Sequence, residues 1–433
     1  LVGPNRPPGC AMGNVCPSLA LLMGRKLPST VDSDPLLEIS PVPDREGAKL
    51  VAEPELAKAA GAGAVTVRQP GGALRAPSTM YASFVRDMVP DLAGQVAIVT
   101  GANAGIGFWA ARALAAKGAT VVLACRDLSK AAAAKAEIER ALRDEAGLQA
   151  HVEVSHLDLA SFASVRAFAV DFRARHDRLD MLLNNAGIMG VARSLTVDGW
   201  DVQLQTNHLS HFLLTRELFD MLARAPGGGR AVHHSSMAHK AGTPRINCEA
   251  LNEGAMDGMC GLAGRLPGAA PFVRYAQSKL ANVLFAFELD RRLIAAGLQG
   301  KVKSVCAHPG VADTHLFDAP TRTGSIPSFF RCFAPHMQSA EDGALPLLLA
   351  ATHGDVKSGG FYGPQHEFRG HPVRCKSGGH AQDARMAREL WVLSELATGC
   401  RFLPGDVHAP VPAGHPAGVA HENAPPAADV QRG

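Results

Sequence analysis

The chain has 433 residues, 47% of them hydrophobic and 19% charged, with a formal net charge of +3. That length holds one large or two ordinary domains with a sizeable core, and no dense Lys/Arg block argues for a nucleic-acid partner. No apolar run approaches a bilayer crossing, since "SLALLMG" near the start is too short, and the nine scattered cysteines form no C-x-x-C pair, so free thiols are expected rather than a disulfide framework or a zinc site.

Composition divides the chain into residues 1–90, 91–400 and 401–433. The first stretch is rich in Pro, Gly and Ala ("VGPNRPPG", "AAGAGAV", "RQPGG") and reads as a low-complexity extension. Its first thirty residues carry Arg6, Arg25 and Lys26 but no acid, which fits a plastid or mitochondrial transit peptide. A disordered extension, or a start at Met80, is the plainer alternative, with the cytoplasm as location. The Pro/Ala-rich tail reads as disordered.

Between these ends short β-branched runs alternate with amphipathic stretches. The runs are "QVAIVT", "ATVVLAC", "HVEVSHL", "DMLLNN", "AVHHSS" and "KVKSVCA", with "GGFYGP" as a candidate seventh. The alternation predicts βαβ units: one three-layer α/β domain, a Rossmann-type doubly wound parallel sheet of about seven strands. In such a sheet ligands bind outside the carboxyl ends of the strands, where strand order reverses. The first strand is followed there by "TGANAGIG", which opens a helix. Gly101, Gly105 and Gly107 let the backbone turn tightly and let a diphosphate approach amides at a helix N-terminus. Asn103 and Ile106 share that turn. The second strand ends "VVLACRD", with Cys125 where an acid would take the ribose 2′-hydroxyl of NAD, and Arg126 next to it. A guanidinium there suits a 2′-phosphate, so NADP(H) is preferred, with NAD(H) as the alternative because Asp127 is close.

These residues resemble the short-chain dehydrogenase/reductase family, in its retinol-dehydrogenase-like branch, over about residues 90–400. Seven motifs carry the resemblance in order: "TGANAGIG", "LDL", "NNAGIM", "TNHLSHFLLT", "HHSS", "YAQSK" and "HPGVADT". The resemblance implies that Asp158 receives the adenine amino group and that Asn185, Ala186 and Gly187 form the loop beside the adenosine ribose. It implies that Asn207 holds a catalytic water, Ser236 orients substrate, and Tyr275 with Lys279 forms the acid/base pair. Pro309, Gly310 and Thr314 match the segment near the nicotinamide.

Tyr275 and Lys279 stand four apart on a helical pattern, hence on one face. A phenol near pKa 10 is a poor base at neutrality, and a neighbouring ammonium favours its anion. Ser236 would hold the substrate oxygen while hydride moves at carbon. The histidines read as structural or solvated: His233 and His234 on one strand face opposite ways, and no metal site is expected. The gap from Ser236 to Tyr275 is longer than usual for the family, and the insertion 240–272 would loop over the cleft as a substrate cover or a tolerated excursion. After strand six, Phe329, Phe330 and Phe333 suggest a small lipophilic carbonyl or alcohol as substrate, with core-filling by these aromatics as the alternative. A homo-oligomer is compatible with the pattern. The competing readings are a nucleotide-sugar epimerase or dehydratase, and an NADP-binding sensor or scaffold without turnover.

Overall fold

A computed structural model of the chain describes residues 78–242, 270–312 and 337–403. Residues 1–77 and 404–433, most of the insertion before Tyr275, Thr314, and Phe329, Phe330 and Phe333 lie outside the described residues.

Strands and helices alternate as the hydrophobic pattern requires. After α1 (Tyr81–Met88) come β1 (Val96–Thr100), α2 (Gly105–Ala116), β2 (Thr120–Cys125), α3 (Leu128–Ala146), β3 (His151–His156), α4 (Phe162–Arg175) and β4 (Met181–Asn184). The next helix is irregular. One α turn (Val202–Leu204) runs into a π turn (Gln205–Leu209) and then into α5 (Ser210–Glu217), and α6 (Phe219–Ala223) leads to β5 (Gly229–His234). A 3-10 turn (Met237–Ala241), α7 (Ala270–Ala295) and β6 (Val302–Ala307) follow. The chain ends with α8 (Ala340–Gly343), α9 (Leu345–Thr352), β7 (Phe361–Pro364), β8 (Pro372–Arg374) and α10 (Ala384–Thr398).

The strands form one sheet in the order β3-β2-β1-β4-β5-β6-β7-β8, parallel throughout except for the β7–β8 pair. "GGFYGP" supplies β7 as expected. The eighth strand is an addition: three residues on the sheet edge, opened by Pro372, carry too little alternation to register in sequence, and an edge is where Pro is tolerated. Strand order reverses between β1 and β4, so the ends of these two strands part into the ligand crevice.

Both faces of the sheet are covered. One core joins Phe84 of α1, Leu114 of α2, Ile138 of α3 and Leu348 of α9; the other joins Phe168 of α4, Phe212 of α5, Phe285 of α7 and Trp391 of α10. Helix ends follow local chemistry. Asp127 accepts from the Lys130 amide to start α3, Ser161 caps α4, Asp383 caps α10, and Gly147 and Gly399 end α3 and α10 in the left-handed conformation.

The stretch expected to be extension up to residue 90 thus ends in a packed helix. Tyr81 and Phe84 of α1 are buried, and the Asp342 carboxylate of α8 accepts from Ser78 Oγ at 2.6 Å and from the amides of Thr79 and Tyr81 at 3.1 Å each. Asp342 therefore caps a helix lying more than 250 residues away in sequence.

Candidate active site

The turn after β1 is built by its glycines. Gly101 has φ +64° and Gly105 φ +56°, and a side chain on Gly101 would come within 3.0 Å of the Ala186 Cβ. Gly107 lies so close to that turn that a Cβ would sit 2.6 Å from the Gly101 carbonyl oxygen. Helix α2 opens at Ala104 with no side-chain cap, unlike α3, α4 and α10, so its first amides keep their donors for an anion. Asn103 is half-buried in the turn, and Ile106 packs under it beside Gly343. A bare, positive helix end behind a glycine turn fits a dinucleotide diphosphate.

The loop after β4 is tied to that turn through Thr100. The amides of Asn185 and Ala186 each donate to Thr100 Oγ1 at 2.9 Å, and Asn185 Nδ2 donates to the Thr100 carbonyl at 2.8 Å. With its oxygen accepting twice, Thr100 gives its own proton to His211 Nε2 at 3.0 Å, while His211 Nδ1–H donates to the Asn207 carbonyl at 3.1 Å. That assignment fixes His211 as the neutral Nδ1–H tautomer, and burial pushes its pKa down to about 4.

Asn207 sits in the π turn, a local widening that recurs at functional sites, and is fully buried. Its Oδ1 accepts from the Ile188 amide at 2.8 Å, and its Nδ2 donates to the Ile188 carbonyl at 3.0 Å and to Ser278 Oγ at 2.8 Å. One Oδ1 lone pair is left. A side chain on Gly187 would lie 3.2 Å from both Asn207 Oδ1 and Lys279 Nζ, so glycine there keeps open the space where these two groups converge.

Lys279 and Tyr275 both lie on the buried face of α7. Lys279 Nζ donates to the His234 carbonyl at 3.1 Å and stands 5.8 Å from the Tyr275 ring centre. Burial pushes the Lys279 pKa down to about 8. Tyr275 corrects the electrostatic expectation: burial pushes its phenol up to about 12, a hydrogen bond with the Ser236 side chain opposes this, and the ammonium is not among the causes that act on it. Desolvation sets the direction. Ser236 follows β5, caps the 3-10 turn by accepting from the Ala238 amide at 3.2 Å, and is half-buried.

Of the other sequence candidates, Arg126 is exposed after β2, and the half-buried Asp158 has one carboxylate oxygen on the Ala160 amide at 2.9 Å. The Pro309 carbonyl accepts from Gln338 Nε2 at 2.6 Å. Gly310, at φ +67°, lies where a Cβ would be 2.2 Å from the Phe368 carbonyl oxygen. Thr314 lies outside the described residues. Among the described residues no group of three metal-ligating side chains gathers.

The family model described as "short chain dehydrogenase" matches residues 95–248. Human retinol dehydrogenase 13 is 38% identical over 315 residues, covering 71% of this chain and 85% of the relative. Mouse polyprenol dehydrogenase is 38% identical over 322 residues, covering 73% and 87%. A solved structure of an uncharacterised protein from Mycobacterium paratuberculosis shares 38% identity, covers 73% of this chain and 98% of its own, and superposes with a TM-score of 0.56. The chain belongs to the short-chain dehydrogenase/reductase family.

Within it this chain is similar to the retinol-dehydrogenase-like branch. In this short-chain dehydrogenase, residues of "NNAGIM", "TNHLSHFLLT", "HHSS" and "YAQSK" gather around the end of β5. The Ser236 side chain lies close enough to the Tyr275 phenol to act on its pKa, Lys279 stands behind the ring, and Asn207 and Lys279 meet at Gly187. Sequence reasoning missed Thr100 and His211, which lock the cofactor-side loop to the π turn, although the four-residue step from Asn207 to His211 is a legible signal. It also missed a buried ion pair, Arg274 to Asp201 at 3.2 Å, which ties the residue before Tyr275 to the turn that leads into Asn207. No spacing rule connects those two residues.

Proposed function

We propose that this chain interconverts a lipophilic alcohol and its aldehyde or ketone, using NADP(H) in preference to NAD(H). The observation that carries the reading is the convergence of Ser236, Tyr275 and Lys279 after β5, on the same rim of the parallel sheet as the uncapped start of α2 after β1. The residues that would hold the dinucleotide are Gly101, Asn103, Gly105, Ile106 and Gly107 at the diphosphate, Asp158 with Asn185 to Gly187 at the adenosine, and Tyr275, Lys279, Pro309, Gly310 and Thr314 at the nicotinamide. When bound, the nicotinamide supplies or accepts the hydride.

The protein's own share is proton transfer and orientation. A phenol near pKa 12 is protonated at neutral pH, so Tyr275 stands ready to give its Oη proton to a carbonyl oxygen. Ser236 Oγ donates a second hydrogen bond to that oxygen as charge develops on it. Lys279, its Nζ proton bound less tightly than an ordinary lysine's, passes a proton toward Tyr275, and the free Oδ1 lone pair of Asn207 holds a water on the route back to solvent.

Two observations support NADP(H). Asp127, the only nearby acid of "CRD", is engaged in capping α3, and Arg126 beside it is exposed and has no ion pair among the described residues. Support for a lipophilic substrate comes from the relatives named for retinol and polyprenol. The test is to titrate the full chain with NADPH and NADH by fluorescence, then follow NADPH consumption with isoprenoid, aliphatic and aromatic aldehydes. Arg126→Ala is expected to weaken NADPH about tenfold, as for loss of an exposed charge-assisted contact, and to leave NADH unchanged. Tighter binding of NADH by the parent chain contradicts the preference. Binding without turnover on the whole panel favours a sensor.

A further inference from the structure

The end of β5 carries two adjacent histidines with different fates. His233 faces the α7 side, its ring 4.5 Å from that of Phe285. His234 faces the other side, where its Nδ1 meets Asn185 Oδ1 at 2.8 Å. Asn185 decides the tautomer. Its Nδ2 is committed as donor to the Thr100 carbonyl, so its Oδ1 accepts, and His234 Nδ1 must carry the proton. Nε2 is therefore a bare lone pair. Burial and the nearby Lys279 push the His234 pKa down to about 3, so the ring stays neutral at any ordinary working pH.

That lone pair has no partner among the described residues, on a residue only 6% exposed, yet Nε2 is not among the fully enclosed orphan atoms, as His233 Nε2 is. It borders open space. The polar groups around this strand end turn elsewhere: Lys279 Nζ and Asn282 Nδ2 each donate to the His234 carbonyl, and Ser235 Oγ donates to the Lys279 carbonyl. The space itself is placed by its walls. His234 lies two residues before Ser236, between the loop of Asn185 on β4 and the end of β6, with Lys279 behind it. A dinucleotide whose diphosphate rests on the start of α2, and whose reactive ring reaches Tyr275, must cross from β1 over β4 to β5. The part above His234 is then the nicotinamide riboside, which carries hydroxyl and carboxamide donors.

We infer that His234 Nε2 accepts a hydrogen bond from the nicotinamide-riboside half of the dinucleotide, so that His234 orients the reactive end of the cofactor. This rests on the dinucleotide reading above. It gives a role to the second histidine of "HHSS", which the sequence alone reads as structural or solvated. Asn185, held on one side by Thr100, is then a brace that presents the acceptor and cannot itself turn away.

The experiment compares two probes on the full chain: NADPH, and 2′,5′-ADP, which lacks the nicotinamide riboside. His234→Val is expected to weaken NADPH about tenfold and to leave 2′,5′-ADP within twofold, while His234→Gln, which can offer an amide oxygen, recovers part of the loss. Equal loss for both probes would assign His234 a merely structural role through Asn185 and overturn the inference, as would no loss at all. Should the Val variant fail to fold, the imidazole ¹⁵N resonances of the parent protein decide. The His234 Nε2 signal is expected to move on addition of NADPH and not of 2′,5′-ADP; a signal indifferent to NADPH refutes the contact. If the parent chain binds neither probe, the dinucleotide reading itself has failed; if it binds both and His234 is silent, only this inference has.

Discussion

Tyr275→Phe should lower the rate of carbonyl reduction by roughly 10²- to 10⁴-fold, the range set by losing a positioned general acid, while leaving NADPH affinity within about threefold. The substitution removes one oxygen from a side chain that is already packed and buried, so the fold has little to lose. The phenol's position near pKa 12 sets the preferred direction in the free protein: it is poised to donate, so reduction should run well at pH 6–7. Oxidation needs the phenolate and should gain as pH rises. Stopped-flow measurement of NADPH consumption at saturating aldehyde separates the rate from the affinity. Unchanged turnover in the Phe variant would remove Tyr275 from the mechanism.

The second large effect is acid lability. His208, His211, His233, His234, His239 and His308 are all buried, and burial lowers each of them to about 3 or 4 from 6.5. In the unfolded chain each takes a proton near pH 6.5 that it refuses in the fold. Their contribution is therefore intact above about pH 6.5 and is lost as pH falls toward 4. At pH 5 the difference is about 2 kcal/mol per histidine, because the unfolded pKa lies about 1.5 units above that pH. Several of these rings act on one another, so their contributions do not simply add, but all six act in the same direction. The urea midpoint should fall steeply as pH drops below 6.5. His239→Gln, remote from the β1 turn, should flatten that slope by about one proton. A midpoint that is level from pH 7 to pH 5 would contradict the burial of these rings.

Much of the fold is legible in the amino-acid sequence because it announces itself through period and punctuation. Apolar runs such as "VAIVT" and "TVVLAC" are buried strands, and the glycines between the first strand and helix stand where φ is positive or a Cβ would collide. Tyr275 and Lys279 are readable together because a helix puts positions four apart on one face. What is not legible depends on contacts distant in sequence. Asp342 capping α1, Arg274 meeting Asp201, and Thr100 gathering Asn185, Ala186 and His211 each join residues that no local rule connects. The phenol's electrostatics fail for another reason: sequence shows that an ammonium is near, but not that the ring is 3% exposed, and desolvation sets the sign. The edge strand β8 is too short to carry a pattern.

The central claim is that the crevice between β1 and β4 brings a reduced nicotinamide against a carbonyl held by Ser236 and Tyr275. The direct measurement is isotope transfer: incubate the protein with NADPH deuterated at C4 and a lipophilic aldehyde such as an isoprenoid, then read the alcohol by mass spectrometry and NMR. Deuterium fixed at the carbinol carbon, with none entering that carbon from heavy water when unlabelled NADPH is used, is the predicted result. Product alcohol without the label, or NADPH bound tightly across the aldehyde panel with no alcohol formed, would contradict it.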